Sequence, residues 1–240
     1  MTYANWDAPH RLEPDDSDGL LRHNPFLRAF DFAVFDKKKV LDLGCGAGDA
    51  ACLFCSKGAR VTAADLTKTG VLLTAHNRER HHLLFSVVQT DAESMGFTSG
   101  SFDYVFSWGV LHHSANPTAA FKEVGRVLTP GGEGLLMVYN RASLRYFLKG
   151  LHWLVIKRKY REVGWSLPRV QQFFTDGYYH KHFTARELTS EMANAGLSVT
   201  NITVTHMAKR MVPIVPPFVD HLLKRTLGWL LVVSIRKENV

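Results

Sequence analysis

Apolar residues fall in short runs along this 240-residue chain, and from residue 40 to 140 those runs alternate between two periods. VLDL at 40–43 is a compact apolar run that stops at glycine, and a small-residue helix is predicted over roughly 48–57. ARVTAAD (59–65) is rich in β-branched residues and ends on an acid; a helix fits 69–80; LLFSVVQTD (83–91) again reads as a strand ending on an acid. FDYVFSWG (102–109) predicts a fourth strand and PTAAFKEVGRVL (117–128) a helix with Pro117 placed near its start. The turn TPGG (129–132) leads to a fifth strand, GLLMVYN (134–140). After a break, TARELTSEMANAG (184–196) predicts a helix with Thr184 as N-cap, Glu187 completing a capping box and Gly196 past the end. LSVTNITVT (197–205), VDHLLKRTLG (219–228) and WLLVVSIRK (229–237) follow as strand, helix and strand. Strands alternating with helices predict an α/β, Rossmann-like, doubly wound and mostly parallel sheet, which takes its ligands at the carboxyl ends of the strands.

The break at 141–183 changes the picture through its charge. Residues 141–182 carry nine Lys/Arg against two acids, Glu162 and Asp176, so the chain's net charge of +7 is local to this stretch. KGLHWLVIKRKYREV within it reads as an amphipathic helix, and TDGYYHKHF as a glycine hinge with two tyrosines. The chain divides into an N-terminal cap segment (1–37), a cofactor-binding core (38–140), an inserted lid (141–183) and the C-terminal part of the core (184–240). The cap, with Tyr3, Trp6, His10 and HNPFLRAFDF, is expected to fold over the same opening as the lid.

Composition narrows the class. An apolar share of 46% is that of an ordinary globular domain. The three cysteines, Cys45, Cys52 and Cys55, are odd in number and clustered, a poor disulfide framework that points to a reducing compartment. The polar, acidic N-terminus lacks the features of a signal peptide and no apolar run spans a bilayer, so a soluble cytoplasmic protein is expected.

The candidate chemistry starts at VLDLGCGAGD (40–49). A dinucleotide fingerprint fails there, because Asp49 stands where its last glycine belongs. The spacing is G-x-G-x-G, preceded by Asp42, whose charge suits a cationic ligand better than a pyrophosphate. S-adenosylmethionine is such a ligand. Asp65, at the end of the second strand, is placed to accept from ribose hydroxyls. Asp91, at the end of the third, is placed to accept from the adenine amino group, with the Ala92 N–H donating to the ring.

VLDLGCGAGDA, VTAADLT, TDAESMGFTSGSFDYVFSWGVLHH and FKEVGRVLTPGGEGLLMV together resemble the ordered motifs of class I S-adenosylmethionine-dependent methyltransferases, most closely the broad type 11-like group that modifies small molecules. The resemblance covers roughly 38–140 and, more loosely, 184–237. It implies seven strands with the last antiparallel, and S-adenosylmethionine as cofactor. It implies that Asp42, Gly44, Gly46 and Gly48 line the methionine portion, with Cys45 contributing backbone; that Asp65 and Leu66 hold the ribose; that Asp91 and Ala92 hold the adenine; and that Ser107 joins the cofactor contacts.

Methyl transfer is an in-line displacement for which alignment supplies most of the rate, and a base helps when the acceptor is a hydroxyl. His113, with His112 behind it, is the candidate base; a brace for the loop is the competing role. Trp108, Arg141, Tyr178, Tyr179 and His180 are the candidate substrate contacts. No metal site is expected: His112 and His113 are adjacent, and Cys52 and Cys55 lack a second pair. The acceptor expected first is a small molecule, anionic or aromatic. A lipid-like or quinone-like acceptor at a membrane surface, a nucleic acid, and a non-catalytic cofactor-binding partner protein are the alternatives. The lack of an Asn/Asp-Pro-Pro-Tyr motif and of a separate RNA-binding module disfavours nucleic acid.

Overall fold

The computed structural model describes residues 21, 24, 27, 28, 30–174, 179–206 and 214–239. Its centre is a seven-stranded sheet in the order β3-β2-β1-β4-β5-β7-β6. The strands are β1 (Lys39–Leu43), β2 (Arg60–Asp65), β3 (Ser86–Gln89), β4 (Phe102–Trp108), β5 (Leu128–Tyr139), β6 (Leu197–Thr205) and β7 (Leu230–Lys237). The pairs among β1 to β5 are parallel, while β7 runs antiparallel to both β5 and β6. The helices are α1 (Asp49–Ser56), α2 (Lys68–Arg80), α3 (Pro117–Val127), α4 (Leu144–Leu151), α5 (Tyr160–Val163), α6 (Leu167–Phe174), α7 (Ala185–Asn194) and α8 (Pro217–Leu227).

Strand alternation sorts the core into two layers. Leu41, Leu43, Val105, Leu136, Val138, Val233 and Ile235 face α3 and α7. Val40, Tyr104, Phe106, Leu135, Met137 and Val232 face α1, with Phe32, Phe35 and Phe54 beside them. On that second face a file of rings runs from Phe35 over Tyr104 (centroids 4.5 Å apart) and Phe54 (5.0 Å) to Phe106, which stacks on Trp108 at 5.9 Å. The 3₁₀ turn Phe32–Phe35 thus belongs to the core beneath the sheet rather than to a cover over the strand ends. Tyr3, Trp6 and His10 lie outside the described residues.

Three elements depart from the sequence reading. β3 is shorter than 83–91 because it is the sheet's edge strand and pairs only with Thr62–Asp65 of β2. β5 begins at Leu128 instead of after TPGG: Leu128 pairs with Phe102, and an irregularity absorbs the glycines before the ladder resumes at Glu133. The single helix read through KGLHWLVIKRKYREV is broken. α4 passes into a π-helical turn, His152–Ile156, and the chain then turns at Arg158, whose φ of 53° ends the helix. A helix cannot continue through a left-handed residue.

Candidate active site

The carboxyl ends of β1, β2 and β4 open into a cleft of about 290 Å³. Leu43, Gly44, Cys45, Gly46, Asp65, Leu66, Asp91, Ala92, Trp108 and His113 line it, all of them named from the sequence except Leu43 as a site residue. Thr67, Thr90, Glu93, Gly109, Val110 and Ser114 line it too, and were not singled out.

The turn after β1 is built for close approach. Gly44, Gly46 and Gly48 all sit at positive φ, where side chains are strained. Their surroundings differ. A Cβ on Gly44 would meet Val110 at 2.1 Å, so Gly44 is bare in order to let the β4 loop close against the turn. A Cβ on Gly46 would meet nothing within 4 Å. Gly48 packs on Thr74 and starts α1; it does not line the cleft.

Asp65 ties this turn to β2. One carboxylate oxygen accepts from the Gly46 N–H at 2.9 Å, and the other from the Thr67 N–H and hydroxyl at 2.8 and 2.7 Å. An ionised carboxylate has about four acceptor sites, so one remains for a ligand. Gly70 makes room for it, since a Cβ there would sit 2.6 Å from the carboxylate carbon. The β2-to-α2 junction missed in the sequence therefore holds the acid in place, and its available signal was Thr67, the N-cap of α2.

Several candidates lie elsewhere than their strand-end positions suggested. Asp42 shares a face with Val40, so its side chain points under α1 and is buried rather than lining the cleft. Burial pushes its carboxyl up to about 7; the Ala51 N–H donated to it opposes that, and nearby Asp65 and Asp49 add to the rise. Its Oδ2 has no hydrogen-bond partner among the described residues. Ser107 is fully buried, and its hydroxyl donates to the Leu43 carbonyl at 2.9 Å, stitching β4 to β1 instead of facing the cleft. Arg141 is engaged by Glu187 at 2.7 Å and donates to the His182 carbonyl at 2.8 Å, which turns it toward α7 and away from the opening. Tyr178 lies outside the described residues. Of the two thiols on α1, Cys52 is buried and Cys55 half-buried, its Sγ–H reaching the Leu84 carbonyl.

The two adjacent histidines are separated by depth. His112 is fully buried, and burial, followed by His113, His180 and His182 beside it, holds its pKa well below the usual imidazole range. It is neutral at physiological pH and away from the cleft lining. His113 lines the cleft, and its Nδ1 lies 3.3 Å from the Tyr179 carbonyl. A carbonyl only accepts, so this contact selects the tautomer protonated at Nδ1 and leaves Nε2 as the basic nitrogen. The segment 179–183, returning toward the sheet, makes the contact. Lys181 N–H donates to the His112 carbonyl, Phe183 N–H to that of Tyr139, and Arg141 N–H to that of Phe183. This lays 181–183 between the two loops and buries His180 and His182 against Tyr139 and Tyr146. His180 is thus a wall behind His113, 5.9 Å ring to ring, and not itself a lining residue. Among the described residues no group of three or more His, Cys, Asp or Glu side chains is arranged to hold a metal ion.

Trp108 lines the cleft opposite the glycine turn, and its buried indole N–H has no partner among the described residues. The site therefore offers a bare glycine, a strand-end acid on each of β2 and the loop after β3, an aromatic wall and one imidazole. That set fits a cationic nucleoside with a ribose diol, since each group has a complementary atom to meet.

Known proteins agree on the class. The family model described as "Methyltransferase domain" matches residues 41–136. A "Ubiquinone biosynthesis O-methyltransferase" of Xanthomonas oryzae pv. oryzae (strain PXO99A) is 30% identical over 204 residues, 82% of this chain and 77% of the relative. A protein of the same name from Parvibaculum lavamentivorans is 27% identical over 169 residues, 70% of this chain and 62% of that relative's length. The fold matches the crystal structure of an S-adenosylmethionine-dependent methyltransferase from Mesorhizobium loti, with a TM-score of 0.64, 19% identity and coverage of 92% and 100% of the two chains.

Proposed function

Because the chain belongs to the class I S-adenosylmethionine-dependent methyltransferases, we propose that it methylates a phenolic hydroxyl of a small, quinone-like aromatic acceptor, with His113 as general base. The observation that carries this reading is the position of His113: an imidazole on the cleft wall, oriented through Nδ1 by the Tyr179 carbonyl. The O-methyltransferase name of the relatives supports oxygen as the receiving atom. It also moves the quinone-like acceptor ahead of the anionic metabolite favoured by charge alone.

When bound, S-adenosylmethionine supplies a methyl group on a sulfonium. The chain's residues do the rest. Gly46 lets the backbone approach the ligand, Asp65 offers its remaining acceptor site to the ribose, and Asp91 with Ala92 flanks the adenine end. Trp108 gives an aromatic acceptor a flat wall. His113 takes the hydroxyl proton at Nε2, which raises the acceptor's nucleophilicity at a pH where a phenol with a pKa near ~10 is little ionised.

His113→Ala should lower kcat by roughly 10²–10⁴-fold, the usual range for a lost general base, and abolish the acid limb of the pH–rate profile. Calorimetric affinity for S-adenosylmethionine should stay unchanged. Full turnover by the variant on a methylated catechol-type acceptor would remove the base from the mechanism.

A further inference from the structure

The outer face of α4 and the turn after it expose apolar side chains to solvent, and we infer that this face docks on an anionic lipid surface. The inner side of α4 is used up. Ser143, Tyr146 and Gly150 point inward, and a Cβ on Gly150 would sit 2.8 Å from both Leu167 and Gln171 of α6. The side turned to solvent carries Phe147, Leu148 and Leu151, continued by Val155 and Ile156 in the π-helical turn, with Ile156 67% exposed. A globular helix normally presents polar residues there, so an apolar stripe of five residues marks an interaction surface.

Two further features say what covers it. The stripe runs into Lys157 and Arg158, both exposed, with Arg161 exposed one turn on. These belong to the segment that holds the chain's whole positive excess. Beside them Trp165, 72% exposed, stacks on Tyr160 at 4.2 Å with the rings 10° from parallel. Apolar stripe, basic rim and an aromatic pair at the boundary form the combination that lies in a bilayer's headgroup region. A second copy of the chain seated on the same face would set one basic rim against another, which like-charge repulsion opposes.

The location ties this surface to the reaction, and this last link rests on the acceptor reading above. α4 leaves the carboxyl end of β5, and its inward Tyr146 packs on Tyr139, 5.1 Å away. Tyr139 in turn meets His113 on the cleft wall, 5.6 Å away. The docking face and the reacting side are back to back across one layer of rings. An apolar acceptor dissolved in the lipid would meet the enzyme at the edge where the proton is taken.

Co-sedimentation of the full chain with vesicles tests this. Vesicles of phosphatidylglycerol in phosphatidylcholine should carry the protein down, phosphatidylcholine alone should do so at least tenfold less well, and salt should weaken the binding. The double variant Lys157→Ser/Arg158→Ser and the single variant Ile156→Ser should each weaken binding roughly tenfold or more. Both should keep the wild-type melting shift with S-adenosylhomocysteine and full turnover of a water-soluble acceptor. Bound protein should show a blue shift in tryptophan emission that Trp165→Phe largely removes. Failure to bind the anionic vesicles, or binding indifferent to both sets of substitutions, would overturn the inference. So would self-association in sedimentation that Ile156→Ser abolishes, since a second copy would then be the occupant. If methylation of every phenolic acceptor fails while vesicle binding follows the pattern above, the acceptor reading falls and the docking surface stands.

Discussion

Asp42 shows what a single residue's place in a strand determines. It was legible as a strand-end acid and so as a ligand for a cation. Its parity, two residues after Val40, is what sends it under α1, and that too is written in the sequence once a strand's period is applied. Ser107 went the same way: a polar residue near the end of β4 was read as a cofactor contact, yet it satisfies the Leu43 carbonyl. The Asp42 carboxyl has a measurable consequence. Its value is raised from 3.8 to about 7, so the folded state holds a proton that the unfolded chain releases between those limits. The sign follows: stability falls as pH climbs from about 4 to about 7 and is level above. Asp42→Asn should remove that slope. At pH 8 it should be more stable than wild type by on the order of 4 kcal/mol, at about 1.4 kcal/mol per pKa unit, and the advantage should vanish near pH 4. Urea midpoints measured across that range check it; a constant difference at every pH would show that Asp42 is not the titrating group.

Elements were legible where a strong period met a clear stop. α7 carries the capping box read from Thr184 and Glu187, with Glu187 N–H donating to the Thr184 hydroxyl and Thr184 N–H to the Glu187 carboxylate. The helix from Leu144 was misread because its apolar positions continue past Leu151 without a breaker; only the backbone at Arg158 shows where it stops. Contacts between elements carry no local signal at all. Gly125 in α3 is an instance, since a Cβ there would lie 2.2 Å from the Ala195 carbonyl oxygen at the end of α7. Gly125→Ala gains about 1 kcal/mol of helix propensity. The collision is with backbone, which cannot step aside without moving α7, and overpacking of this kind costs about 1–3 kcal/mol. The collision should win, and the variant should unfold at lower denaturant; a gain in stability would show that the two helices slide apart freely.

At the scale of the molecule, the sheet order and the site edge were legible, because alternation of strand and helix leaves few topologies and ligands gather at one end of them. The wall behind His113 was not, since it is assembled from residues 112, 139, 146 and 180–182, whose meeting depends on the return of the chain past β5. Binding of S-adenosylhomocysteine should act on the whole domain. At about a hundredfold excess over Kd it adds ~2.7 kcal/mol, which for a chain of this size is a melting shift of roughly 5–10 °C. Gly46→Val, which fills the bare position, should melt on its own baseline with no shift. The place of β7 in the sheet carries one more consequence. This strand is wedged between two strands that precede it in the sequence, and those two pair in the sheet only through it. On the ribosome β5 and β6 must therefore wait as unmatched edges until residues 230–237 emerge. Closure of this sheet must follow the synthesis of β7, and until then those edges are open to pairing with other strands.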